Sequence, residues 1–186
     1  MKLNMLLLIS FAVAMTACNH SPKDNSASPN HDVASADTMQ MGPDSAFLSS
    51  AYTTGIFEIK IANLANQKSS TAEVKSLADM MIKDHTDLNG KISTLAKAKD
   101  ISLSDNLPDE LQKKYDNLSN LTGKKFDQEY ADINVKGHEG AINDFQKEAS
   151  GNGATDVKDL ATNALPNLKM HKEHSEMLQK QLGGAM

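Results

Sequence analysis

The chain of 186 residues contains no arginine, no tryptophan and a single cysteine. All 19 basic residues are therefore lysine, set against 24 acidic ones for a net charge of -5. Without the planar guanidinium fork that reads phosphates and base edges, nucleic acid is not an expected partner. The lack of tryptophan and the scarcity of β-branched runs argue against a sheet. No serine or cysteine nucleophile motif and no phosphate-cradling glycine loop occurs, and the acid-rich stretch from Asp105 to Glu110 lacks calcium-loop spacing. A lone thiol excludes any internal disulfide. What is present is 39% hydrophobic residues, enough for one domain of ordinary size with a real core.

The N-terminus reads as an address. Met1-Lys2, the apolar run from Leu3 to Ala17 and the closing Met15-Thr16-Ala17-Cys18 have the layout of a bacterial lipoprotein signal over residues 1–18. Cys18 is then the lipobox cysteine and the site of lipidation; a plain signal cut near Ala17 is the alternative. The run is too short for a permanent membrane span. This reading places the protein in the cell envelope, lipid-anchored to the outer membrane or periplasmic, with the membrane as partner through Cys18 and any protein partner unknown. Residues 19–43 are rich in Ser, Asn, Asp and Pro and cannot offset their ordering entropy by burial, so a disordered polar tether is expected.

Residues 44–182 carry helical periodicity, and 183–186 form a tail. The first helix is expected from a Pro43-Asp44-Ser45 turn and N-cap to about Lys68, with Phe47, Ala51, Gly55, Glu58, Ala62 and Ala65 on its inward stripe. Ser70-Thr71-Ala72-Glu73 has the form of a capping box and opens a second helix to about Lys99, striped by Val74, Leu77, Ala78, Met81, His85, Leu88, Ile92 and Leu95. The pattern then breaks until Pro108 opens a short helix to about Leu118. A third long helix starts at Thr122-Gly123 and turns Phe126, Tyr130, Ile133, His138, Ala141, Phe145 and Ala149 inward. After the Ser150 to Ala154 turn, Thr155 or Asp156 caps a fourth that runs to about Leu182. Two helical hairpins joined by a long crossover containing a short helix make an all-α, ferritin-like four-helix bundle.

Each long helix carries one polar residue on its apolar stripe: Glu58, His85, His138 and His171. Counted from the hairpin turns, Glu58 and His85 differ in level by about 4.5 Å, and His138 and His171 by about 7.5 Å, at 1.5 Å per residue. Pro166 stands one turn before His171, where a proline costs about 3 kcal/mol in a helix interior. A local rule broken beside an inward polar group marks a candidate site. One carboxylate and three imidazoles suit a single Zn, Mn, Fe or Cu ion. Asp84, Tyr130 and His174 are candidates to orient those imidazoles. The alternative is a metal-free polar network in a non-catalytic structural or stress-related interaction module. Catalysis is not indicated by any residue pattern.

Glu58, Lys83-Asp84-His85, Gly123 with Phe126-Asp127, Tyr130 leading to His138, and Leu165-Pro166 with His171 occur in an order that resembles the ferritin-like family catalogued as domain of unknown function four-one-four-two. The resemblance covers about Asp44 to Leu182. It implies a ferritin-like bundle in the bacterial envelope, often labelled a predicted outer-membrane protein, without an agreed role. True di-iron sites need Glu-x-x-His motifs, whereas Ile82 and Val135 stand three residues before His85 and His138, so a di-iron centre is not expected.

Overall fold

The structure, a computed structural model, describes residues 42–183. The expected signal with Cys18, the expected tether up to residue 41 and the expected tail from 184 lie outside the described residues. Those described form five helices and no strand: α1 (Pro43–Lys68), α2 (Ala72–Ala98), α3 (Asp109–Ser119), α4 (Gly123–Ser150) and α5 (Thr155–Gly183). None is long and apolar enough to cross a membrane.

The helix ends differ from expectation in an instructive way. Pro43 sits in the first turn of α1, where its missing N–H is not needed, and no side chain caps that helix. Asp44 instead reaches across the chain, its Oδ2 accepting the N–H of Ala154 at 3.0 Å at the start of α5, where Asp156 Oδ1 also accepts the N–H of Val157 at 2.9 Å. The capping box at Thr71 does not form either. The Thr71 hydroxyl donates to Asp127 Oδ2 on α4 at 2.6 Å. In both cases a cap read as local is used for tertiary contact. At the end of α2, Asp100 adopts φ 55°, a left-handed conformation that Asp tolerates better than most residues.

α1 and α2 form one antiparallel hairpin and α4 and α5 the other; α2 packs on α5 and α1 on α4, closing a ring of four helices. With the α1–α2 turn taken as the upper end, α2 finishes at the lower end and α4 starts at the upper one. The segment 99–122 must therefore climb the bundle. Ile101 and Leu103 pack on the lower core and Leu107, Leu111, Tyr115 and Leu118 on the upper core. Halfway up, the Tyr52 hydroxyl donates to Asp105 Oδ1 at 2.7 Å. At the top the Lys68 ammonium donates to the Ser119 carbonyl and lies 5.6 Å from the centre of the Phe126 ring.

The core is divided by level. Phe57, Ile61, Met81, Phe126 and Tyr130 belong to one large upper cluster, while smaller clusters around Phe145 and Leu168, and around Leu48, Ile92 and Val157, fill the lower part. The histidines lie between. Phe47 and Ala51, expected on the stripe, are only half-buried. Pro166 is inside α5 but exposed, as is Thr162, whose carbonyl loses its helical partner. On that face the freed acceptor is in reach of solvent, and α5 runs through the proline without interruption.

Candidate metal centre

His85 of α2, His138 of α4 and His171 of α5 are at most 4% exposed and meet at one level. His138 is central: its Nε2 lies 3.4 Å from His85 Nε2 and 3.2 Å from His171 Nδ1. One ligand nitrogen from each ring falls within 4.8 Å of the others. The five-residue offset between His138 and His171 is thus absorbed by the packing of α4 on α5.

Two ring tautomers are fixed by partners on the far side. His138 Nδ1 is 2.9 Å from the Asn134 carbonyl, which can only accept, so Nδ1 carries the hydrogen and Nε2 a lone pair. His171 Nε2 is 3.0 Å from Asp84 Oδ2, so there the hydrogen is on Nε2 and the lone pair on Nδ1. Two lone pairs therefore point at one another across 3.2 Å. His85 adds Nε2 from the third side, and its Nδ1 has no partner.

Electrostatics keep the rings neutral. Burial, then the charges that His138 and His171 would carry, lowers His85 to about 3, against the opposing pull of Asp84. Burial and His171 lower His138 to about 4. Burial lowers His171 as well, with Asp84 opposing and His174 adding to the effect. Asp84 is itself raised by burial, but Lys83, 2.8 Å away, and His171 outweigh this and hold its carboxyl below the ordinary range.

Glu58 is not part of the converging set. It is 2% exposed, and the site of a Cβ on Gly137 would lie 3.0 Å from its Oε1, so it lies along α4 in space that a missing side chain leaves open. Its Oε2 has no partner. Burial pushes its carboxyl up to about 8, so it is protonated at neutral pH. Tyr130, expected beside the imidazoles, bonds none of them; its hydroxyl is raised by burial and next by Glu58, against the opposing pull of the Asn134 side chain. His174 is exposed and reaches His171 only through charge.

Sequence reasoning did not single out Asn134, which is fully buried and supplies the carbonyl that orients His138. Any residue four before His138 offers that carbonyl, so residue type carried no signal. Asn89 was missed too. It is 6% exposed, its amide donates to the Tyr52 carbonyl at 3.2 Å, and a Cβ on Gly55 would collide with it.

Comparison with the curated proteins gives no match. Among solved structures, the crystal structure of a DUF305 fragment from Deinococcus radiodurans is similar with a TM-score of 0.67 at 12% identity, covering 76% of this chain and 97% of that one. At that identity the likeness concerns the fold alone. The family described as "Domain of unknown function (DUF4142)" matches residues 28–178, which takes in the upper cluster, all three histidines, Asp84 and Glu58, and the chain belongs to it.

Proposed function

We propose that this is a cell-envelope protein whose ferritin-like bundle holds one transition-metal ion on His85, His138 and His171. The observation that carries the reading is the pair of opposed lone pairs on His138 Nε2 and His171 Nδ1 at 3.2 Å. Such a contact is repulsive unless a cation lies between. Nitrogens 3.2 and 3.4 Å apart at metal bonds of roughly 2.0–2.1 Å subtend about 100–116°, a range that brackets the tetrahedral angle favoured by zinc. Mn, Fe or Cu would bind imidazole too, with different preferred angles. Three protein nitrogens leave a fourth position for water or an added ligand, as Glu58 lies aside. Asp84 and the Asn134 carbonyl hold two of the rings in the tautomers that metal binding needs.

A lipid on Cys18, anchoring the protein to the outer membrane or leaving it in the periplasm, belongs to the same proposal and rests on the lipobox-like Met15-Thr16-Ala17-Cys18. The reading of the bundle as a metal-free interaction module draws on one observation: His85 Nε2–H can donate to His138 Nε2 at 3.4 Å.

The experiment is metal analysis of protein purified without an affinity tag, then titration of the metal-free protein with Zn, Mn, Fe and Cu. One ion per chain with a raised melting temperature is expected. No retained ion and no thermal shift with any of the four would leave the polar network as the better reading. Intact mass of the mature protein checks the lipid: an unmodified Cys18 would remove that part.

A further inference from the structure

A cleft of about 710 Å³ opens between α1 and α4 in the lower half of the bundle, and His85 forms part of its wall. This lies within the size range of small-molecule sites. The space between the helices stays unfilled because their facing residues are small: Ala51 and Gly55 on α1, Gly137, Gly140 and Ala141 on α4. Gly140 is informative. A Cβ there meets nothing within 4 Å, so no neighbouring side chain or backbone requires the glycine, which weakens a helix interior. Phe47 and Phe145, packed edge to face at 4.9 Å, line the lower part.

The polar groups define an orientation. At the upper end His85 is only 4% exposed, and its Nδ1 has no hydrogen-bond partner. When Nε2 offers its lone pair to the centre, Nδ1 carries a hydrogen that needs an acceptor. Lys136, two residues before His138, lines the cleft at that end. The lower end carries Asp44, Asp144 and Glu148 against the single Lys147. Glu148 is held above its ordinary value by burial and by Asp44, so negative charge is already crowded there.

We propose that the cleft binds a small amphipathic carboxylate, its head at His85 and Lys136 and its apolar body running down between Phe47, Phe145 and Leu88. From His138 to Phe145 is seven residues of α4, about 10 Å of helix, the length of a medium-chain acid. Binding needs no ion, because the Lys136 ammonium is a protein group that attracts the head by itself; an ion on His85 Nε2 would put the ring hydrogen on Nδ1 and add a second attachment. The proposal therefore stands or falls apart from the metal reading.

The test is isothermal titration of the metal-free, full mature chain with octanoate and, as a head-group control, octylammonium. Saturable octanoate binding is expected, with octylammonium at least ten-fold weaker. Gly140→Leu fills the cleft at a position with open space, so it should lower octanoate affinity at least ten-fold while keeping or raising the melting temperature. Gly90→Leu, equally open but outside the cleft, should leave binding unchanged. No saturable octanoate binding, equal binding of both head groups, or a fully active Gly140→Leu variant would each overturn the proposal.

Discussion

Above the histidines the bundle is filled, and below them it is split. Both halves come from the same four helices with the same periodicity. In the upper half Ile61, Met81, Phe126 and Tyr130 are fully buried in one cluster. In the lower half two smaller clusters flank a cleft of about 710 Å³. The difference is side-chain size where α1 faces α4: Phe57, Ile61, Phe126 and Tyr130 above, and Ala51, Gly55, Gly137, Gly140 and Ala141 beside the rings of Phe47 and Phe145 below. Stability is concentrated where the residues are large, and room for chemistry where they are small.

The sharpest way to break this comparison is to remove the same ring from each half. Phe126→Ala should cost about 3–5 kcal/mol, and Phe145→Ala clearly less, because neighbours beside the cleft can relax into the space. Urea denaturation of the two variants measures it, and equal losses would mean the halves are equally well packed. Next in size is the boundary itself. His138→Ala removes the central nitrogen and should weaken zinc binding by more than about 100-fold, beyond the 10–100-fold typical of lost supporting groups. Competition with a chelating dye reads it.

Glu58 gives a pH signature in the metal-free protein. His85 and His138, lowered to about 3 and about 4 from 6.5, stay neutral in the fold while the unfolded chain takes protons below 6.5. Their contribution is whole above that value and is lost as pH falls, by about 1.4 kcal/mol per pH unit for each. Glu58, raised from 4.5 to about 8, works the other way, its contribution being lost as pH rises between those values. From 4.5 to 6.5 two histidines outweigh one carboxyl and stability climbs; above 6.5 Glu58 acts alone and stability declines. Glu58→Gln should abolish the alkaline decline, which amounts to roughly 2 kcal/mol between pH 6.5 and 8. Urea midpoints at pH 5, 6.5 and 8 in chelator test this, and an unchanged decline would mean Glu58 is ionised in the fold. The smallest effect is expected from Asp84→Asn, about 10-fold in zinc affinity, because the amide can still accept from His171 but without charge.

The helices and the shared level of the three histidines were legible because apolar spacing and residue rise are local quantities. Glu58 was placed at the right depth and given the wrong neighbours. Its direction depends on Gly137 in another helix, which no count along α1 contains. The same holds for Asp44 and Thr71: each is a good cap by type, and each finds a better partner 110 and 56 residues away. Tyr130 and Asn134 share a helix face near His138. Which of them serves the ring turned on a backbone carbonyl that any residue type supplies.

The division of the three histidines between the hairpins gives the proposed metal binding a kinetic consequence. His138 and His171 come from α4 and α5, and His85 from α2. Each hairpin can close through contacts near in sequence, whereas bringing them together requires the long crossover to be threaded along the bundle, the slower, non-local step. An ion on all three nitrogens is a clasp across that junction. It contributes nothing to either hairpin alone and acts where they part, so its loading should show chiefly as slower unfolding, with the refolding rate little changed.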